Sequence, residues 1–560
     1  MVGVAGKSQA CHDCRRRRVK CDLRRPACLR CTKANIKCGG YEKNLVFVNR
    51  TPENVSLTAV SVLSDLKFQN SRSEPLVTHS AEPELETVIQ DLVESSKNGI
   101  NFRRRAVDLI KRLYLPREPN TEYHLKHTAY SWIYGAADLS GPSQALDVAL
   151  LAFAMSLLYV TGSGNATLGQ GLQLYNTAIT HLCTDLENPD TKACDETLAT
   201  IIVLSTCEIF LCPQDTGWRA HAGGISELLR LRNSKAAMTS SSMWHHLVSR
   251  LRTICVLDGL TNRRATFLSV IEWNQIASVK FSNDFFEVLM EMIADVPVLL
   301  EEADLLSSTP RKDVLLQWGS NLIRSFATAL VRLYFWNEDL RVSSETPLYT
   351  AVPSTVCNPA DTSPSDKVFP FSLEFAGLNK VILLTFGWSV MLQCLDAIDQ
   401  LYTLMQNNLE KVPSMHDIMD DEDCTSVTWS AHQQGLSESI AMHQYQLPVQ
   451  ALRSSPSDAK WPSIEFVRSE ANRLARFICQ SMEYSHKTEL GMLACQCTTY
   501  PTWAARQHFR QHGLERELAW TGEIQNMTGP SFRTGLRMMK FADRPGVQKP
   551  VSRVPSSSGE

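Results

Sequence analysis

A chain of 560 residues is too long for one compact domain of ordinary size, and its 44% hydrophobic content is enough for a large core. The formal charge of −3 hides an asymmetry: residues 1–50 carry thirteen Lys and Arg against three Asp and Glu, a net of +10, while the remainder carries 43 against 56, a net of −13. A basic head on an acidic body points to a polyanionic partner for the head and not for the body. The longest apolar runs, 148–160 and 381–392, are interrupted by Ser156 and Thr385. They fall short of the ~20 apolar residues of a membrane span, so they are expected as buried helices and no membrane partner is expected. Eleven cysteines beyond residue 50 are scattered, several of them inside apolar runs as Cys207 and Cys394 are. This excludes a disulfide framework there and suits reduced, buried thiols of an intracellular protein. The sequons at Asn54, Asn165 and Asn526 are then chance matches.

Residues 1–10 form a short leader. The stretch 11–40 follows, with cysteines at 11, 14, 21, 28, 31 and 38. The spacing is C-x2-C-x6-C, repeated after a shift of seventeen residues, so the stretch is two half-sites. Thiolates at paired C-x2-C spacing clamp zinc. Six thiolates fill two tetrahedral sites only if two of them bridge both metals, one from each half by symmetry; the spacing does not say which. A secreted disulfide knot is the rival reading, but the leader has Lys7 as its only charge and no apolar core of signal-peptide length. A segment with so little to bury needs a metal to hold it.

The cysteine stretch resembles the DNA-binding domain of the fungal binuclear zinc-cluster (Zn2Cys6) transcription factors. The resemblance rests on all six cysteines (Cys11, Cys14, Cys21, Cys28, Cys31, Cys38), the basic run before the third, Asp22 directly after it, and Pro26 between the halves. It implies two Zn2+ bridged by Cys11 and Cys28, and a short helix plus an extended segment in each half. Two Zn2+ and six thiolates sum to −2. Arg15, Arg16, Arg17, Arg18 and Lys20 exceed that compensation, so part of the run points outward, as suits the major groove of double-stranded DNA. In the family the residue four after the second cysteine contacts bases of a CGG triplet, and here that is Arg18, whose fork suits guanine O6 and N7. Arg15, Arg17 and Lys20 match positions that contact phosphates or support the helix. The rival reading of the run is nonspecific DNA retention or nuclear import.

Residues 41–100 read as a linker punctuated by Pro52, Pro75 and Pro83, with amphipathic pieces near 57–68 and 85–93 too short for a coiled coil. The zinc-cluster region is therefore expected to be monomeric. From 101 to 540 helical spacing dominates: 102–115, 145–160, 172–182, 197–211, 243–257, 281–300, 314–333, 378–404, 464–486 and 490–508, with 218–232 as a loop running into a helix. Period-2 alternation is scarce. Segments 341–370 and 405–460 read as loops, the latter holding an acidic knot at 417–423, and 541–560 as a disordered tail. The expectation is an all-α protein: a small zinc-cluster domain, a linker and a large α-helical regulatory domain of a dozen or more helices. The body resembles the fungal-specific transcription factor domain of the same family, on Leu174, Tyr175, Ala178, Leu182 and Leu186, then 195–198, and Trp218, His221 and Gly223.

Other constellations carry less. His508 and His512 lie near Cys495 and Cys497, but Phe509 stands where a metalloprotease pattern needs Glu, and a histidine pair on a helix surface or in the core is the better reading. His221 is read as structural. The acids mixed with Ile418 and Met419 suit a coactivator surface or, more commonly, a solvated loop. No catalytic set emerges and no catalytic residue is assigned. The sequence thus reads as a nuclear, non-enzymatic, sequence-specific regulator of RNA polymerase II genes, with DNA and the transcription machinery as partners, possible control of one metabolic or biosynthetic pathway, and a zinc-stabilised scaffold or an enzyme with a zinc appendage as alternatives. Target genes, the sign of regulation and any effector are not written in it.

Overall fold

The computed structural model describes fourteen positions between Cys14 and Cys38, Leu92, and residues 102–117, 130–139, 141–163, 166–192, 194–211, 216–234, 242–266, 284–308, 312–419, 463–536 and 538–541. The chain divides into two units, residues 1–56 and 57–560. In the first, one short helix is described, α1 (Leu29–Lys33).

The second unit holds seventeen α-helices among the described residues. They open with α2 (Phe102–Tyr114), α3 (Trp132–Ala136), α4 (Gln144–Thr161), α5 (Leu168–Glu187) and α6 (Asp195–Leu211). α2 buries Val107, Ile110, Leu113 and Tyr114, the face its spacing announced. Ser143 caps α4 through a bond from the Leu146 amide, and Thr167 and Gln170 form a full capping box on α5. α4 packs against α2, α5 and α6. α6 is buried from Thr197 to Leu211, so it shows apolar residues all round and no stripe.

Then come α7 (Thr216–Ser234), α8 (Ser242–Asn262), α9 (Phe285–Ile293), α10 (Val296–Ser308) and α11 (Lys312–Val342). α7 is helical from Thr216, so the expected loop at 218 is absent. The stretch expected as one helix over 281–300 is two: α9 stops at Ala294, and α10 starts at Val296 with Pro297 in its first turn, where a missing N–H is tolerated.

The segment 341–370 is not a structureless loop. β1 (Tyr349–Pro353) pairs antiparallel with β2 (Phe371–Phe375), Tyr349 opposite Phe375, and Tyr349 meets Trp388 and Phe477 edge-on. α12 (Leu378–Asn408) packs against α11 and, beyond the short α13 (Met415–Met419), against α14 (Ile464–Gln480) and α17 (Thr499–His512). α15 (Met482–Ser485), α16 (Gly491–Cys497) and α18 (Glu515–Gly522) complete the set. α4 and α12 are long and apolar enough to cross a bilayer, beyond what the bare apolar runs indicated; both are packed inside this body, α12 on every side.

Leu92 is also buried in the body's core, although it falls in the stretch read as linker. In α13 Ile418 is buried and Asp417 accepts from the Ser414 amide and hydroxyl, so this part of the acidic knot caps a short helix; 420–423 lie outside the described residues. The last described residues of the body return to its first half. The Met539 amide donates to the Ile209 carbonyl at 2.7 Å, and Phe541 lies edge-on to Trp218 with ring centroids 5.5 Å apart.

Candidate metal centre and nucleic-acid interface

Among the described residues of the first unit, Cys14, Cys28 and Cys31 are the buried core, with Val19, Cys21 and Cys38 packed around them. The seventeen-residue repeat is visible in its hydrogen bonds. The Val19 amide donates to the Cys14 carbonyl at 3.0 Å, and the Ile36 amide to the Cys31 carbonyl at 3.1 Å, so each half closes the same turn after its second cysteine. Cys28 stands at the N-cap of α1 with extended backbone, and its sulfur accepts from the Cys31 amide at 3.3 Å.

Cys14 Sγ and Cys28 Sγ are 3.6 Å apart. That is too far for a disulfide and close to the ~3.8 Å edge of a tetrahedron with Zn–S bonds of about 2.3 Å. The ligand atoms of Cys14, Cys28 and Cys31 lie within 4.8 Å of one another, and so do those of Cys21, Asp22 and Cys28. Cys28 is common to both groups and thus stands near sulfurs of both halves. The donor set is soft, converging and largely shielded, which fits zinc.

Asp22 does a task that the sequence did not reveal. Its two carboxylate oxygens accept from the Leu29 and Arg30 amides at 3.1 and 3.3 Å, capping the second half's helix from the end of the first half. Its position directly after Cys21 was the only signal. Arg17 is exposed, as are Arg30 and Lys33 on α1. Cys11, Arg15, Arg18 and Lys20 lie outside the described residues.

Two further polar clusters sit in the body. Buried Glu208 accepts from the Tyr175 hydroxyl and lies 3.3 Å from His221 Nε2, while Tyr175 and His221 are themselves 3.1 Å apart. Gly217 lies beside this carboxylate, and a Cβ there would push the Glu208 head aside. Residues picked out by family resemblance in separate helices therefore meet on one acid, with His221 inside α7.

His508 Nδ1 and His512 Nε2 both face Asp396 Oδ1, at 2.8 and 3.4 Å. Burial would raise the Asp396 pKa, but the attraction and hydrogen bonds of the two histidines outweigh it and hold the carboxyl at about 2. Cys495 and Cys497 take no part: Cys495 Sγ meets the Ser485 carbonyl, and Cys497 Sγ the Tyr130 hydroxyl. Burial pushes both thiols up to about 12, leaving them neutral and unreactive.

Comparison with known proteins bears on both units. Residues 9–45 match the family described as Fungal Zn(2)-Cys(6) binuclear cluster domain, and residues 137–299 match the Fungal specific transcription factor domain. Arginine metabolism regulation protein II of Saccharomyces cerevisiae is 52% identical over 44 residues, 8% of this chain and 5% of that protein. Transcriptional regulatory protein moc3 of Schizosaccharomyces pombe is 61% identical over 31 residues, 6% of each chain. An uncharacterised protein of Emericella nidulans is 32% identical over 103 residues, 18% of this chain and 22% of that one. The chain thus spans less than a quarter of the length of each of these relatives, and no solved structure matches it. With converging thiols in a doubled half-site and both domain families matched in order, the chain is similar to the fungal Zn2Cys6 transcription factors: a Zn2Cys6 region that implies two zinc ions, ahead of a helical region that matches the fungal specific transcription factor domain over residues 137–299.

Proposed function

We propose that the protein is a sequence-specific, double-stranded-DNA-binding transcription regulator that works in the nucleus on RNA polymerase II genes. The observation that carries this reading is the doubled half-site itself: thiols that converge for zinc, in a unit whose exposed described side chains include Arg17, Arg30 and Lys33. The metals act structurally here, fixing two turns whose outward cations meet phosphates and base edges. All six cysteines, Cys11, Cys14, Cys21, Cys28, Cys31 and Cys38, are the ligands in this reading, and Cys11 and Cys28 are the bridges. The place of Cys28 near both halves supports its share of that assignment.

Arg18 reads guanine in a CGG-like triplet, and Arg15, Arg17 and Lys20 hold phosphates. The helical body regulates output through the transcription machinery and carries no catalysis. Residues 1–100 bind one triplet as a monomer; burial of Leu92 in the body removes one of the few residues from which a coiled coil there would be built.

The test is binding of the full chain to CGG-bearing and scrambled duplexes across a salt series. A specific site should bind about 10³-fold or more tighter than scrambled DNA at physiological salt. Equal affinity for both would reject the reading.

A further inference from the structure

Outside the cysteine unit, the described residues hold one further group of three donor side chains: Asp396, His508 and His512, whose ligand atoms lie within 4.8 Å of one another. The two histidines are one turn apart on α17 and project from one face, the spacing by which a helix presents paired imidazoles to a metal. Asp396 faces them from α12. Both helices are firmly held. Asp396 sits in the buried run of α12, Phe509 is fully buried on α17, and Gln400 donates to Gln511 at 3.0 Å between the two helices. Donors carried on packed helices hold their geometry better than donors on loops.

The distances suit a small transition-metal ion. Donors around a tetrahedral zinc with bonds of about 2.0–2.2 Å stand about 3.3–3.5 Å apart. His512 Nε2 lies 3.4 Å from Asp396 Oδ1, already at that separation. His508 Nδ1 lies 2.8 Å from the same oxygen, at hydrogen-bond length, and this pair opens by about 0.5 Å when a metal replaces the shared proton. Two imidazoles and one carboxylate leave a fourth position for water. Zinc accepts that set, whereas Ca2+ and Mg2+ demand oxygen ligands. Access is one-sided: the side chains of His508 and Asp396 are 2% and 9% exposed and that of His512 29%, so ion and water reach the group past His512.

We infer that Asp396, His508 and His512 bind a zinc ion beyond those of the cysteine cluster, as a clip between α12 and α17. The ligand atoms are Asp396 Oδ1, His508 Nδ1 and His512 Nε2. Ligation at Nδ1 leaves the His508 ring proton on Nε2, a buried atom with no hydrogen-bond partner among the described residues. A ligating histidine without that outer support holds its metal about 10–100-fold less tightly. This ion therefore exchanges under conditions in which the cysteine cluster keeps its own.

Native mass spectrometry of the full chain equilibrated with zinc tests the inference. The unsubstituted chain should carry three zinc ions, two of them in the cluster. His512→Ala, at the exposed edge of the group, should carry two. Asp396→Asn is the second variant and should also lose one ion. Cys28→Ala should keep the ion held by the histidines, which separates failure of this site from failure of the cluster. Co2+ added to the zinc-loaded chain reads the ligand type: visible d–d bands should appear without a thiolate charge-transfer band, and His512→Ala should weaken cobalt binding by about tenfold or more. Two zinc ions in the unsubstituted chain, three retained in both His512→Ala and Asp396→Asn, or a thiolate band from the added cobalt would overturn the inference.

Discussion

Replacing Gly491 with alanine should be among the most damaging single-methyl additions in the body. Gly491 has φ +70° and ψ −172°, a backbone region that is in practice restricted to glycine. Alanine there costs about 1–3 kcal/mol in strain alone. A Cβ would also lie 2.5 Å from the carbonyl oxygens of both Tyr114 and Leu115, at the end of α2. Those are backbone atoms held by neighbouring bonds, Leu115 to Lys111 and Arg117 to the Glu489 carbonyl, so they cannot swing aside. Forcing them apart adds about 1–3 kcal/mol more, as overpacking does elsewhere.

Gly513 is the internal control. Its φ is +67° and ψ 28°, but nothing lies within 4 Å of a Cβ there, so alanine should cost only about 1–2 kcal/mol. Urea unfolding of the two full-length variants, followed by tryptophan fluorescence with zinc content checked, compares them directly. Gly491→Ala should unfold at clearly lower urea than Gly513→Ala. Equal midpoints would show that the contact between α16 and the end of α2 is looser than described and that the reasoning fails.

Other outcomes follow from the sites. Cys28→Ala should lose both zinc ions in native mass spectrometry, since its sulfur stands near both halves; loss of a single zinc would remove it as a bridge. Arg18→Ala should cost about 1–3 kcal/mol on a guanine site, while Lys20→Ala should weaken all duplexes alike and lower the salt slope by about one; identical losses on cognate and scrambled DNA would make Arg18 a backbone contact. The hydrogen bond to Asp396 raises the His512 pKa against the opposing effect of burial. Its protonated form is therefore stabilised by folding, fully below an unfolded pKa of about 6.5, and that stability is lost as pH rises through the folded value. His512→Ala should thus destabilise more at pH 5.5 than at pH 9, and a pH-independent cost would contradict the pairing. Residues 1–100 should sediment as a monomer with and without DNA; a stable dimer, or one sharply preferred spacing of paired triplets, would refute the linker reading.

Legibility from sequence tracked how local the controlling physics was. The cysteine spacing spoke clearly because metal geometry acts over a few residues. The cap that Asp22 places on α1 did not, because it crosses from one half to the other around a loop. Runs such as those in α4, α6 and α12 were legible as buried helices, since nothing but a core accepts them. The start of α5 was readable in Thr167 and Gln170, but the apolar spacing becomes regular only from Leu172. The β1–β2 pair was missed because β1 shows no clean alternation of burial and carries Pro353. α7 runs through Gly223 and Gly224 in spite of their low helix propensity, because Trp218, Ile225 and Leu229 are buried on the body. The meeting of Asp396 with His508 spans 112 residues, and no local pattern reports such a pair.

The return of residues 538–541 to Ile209 and Trp218 has a consequence for how the chain is made. The part matching the transcription factor domain ends at residue 299, yet its aromatic surface at Trp218 is sealed by Phe541. During synthesis that surface waits uncovered while more than three hundred further residues leave the ribosome, at rates of about 5–20 residues per second. A premature stop codon anywhere in the last fifty codons before 541 would leave every motif of the family intact and still yield a body that cannot close. Nonsense and frameshift alleles late in the gene should therefore behave as losses of the protein, cleared by quality control, and not as trimmed but working regulators.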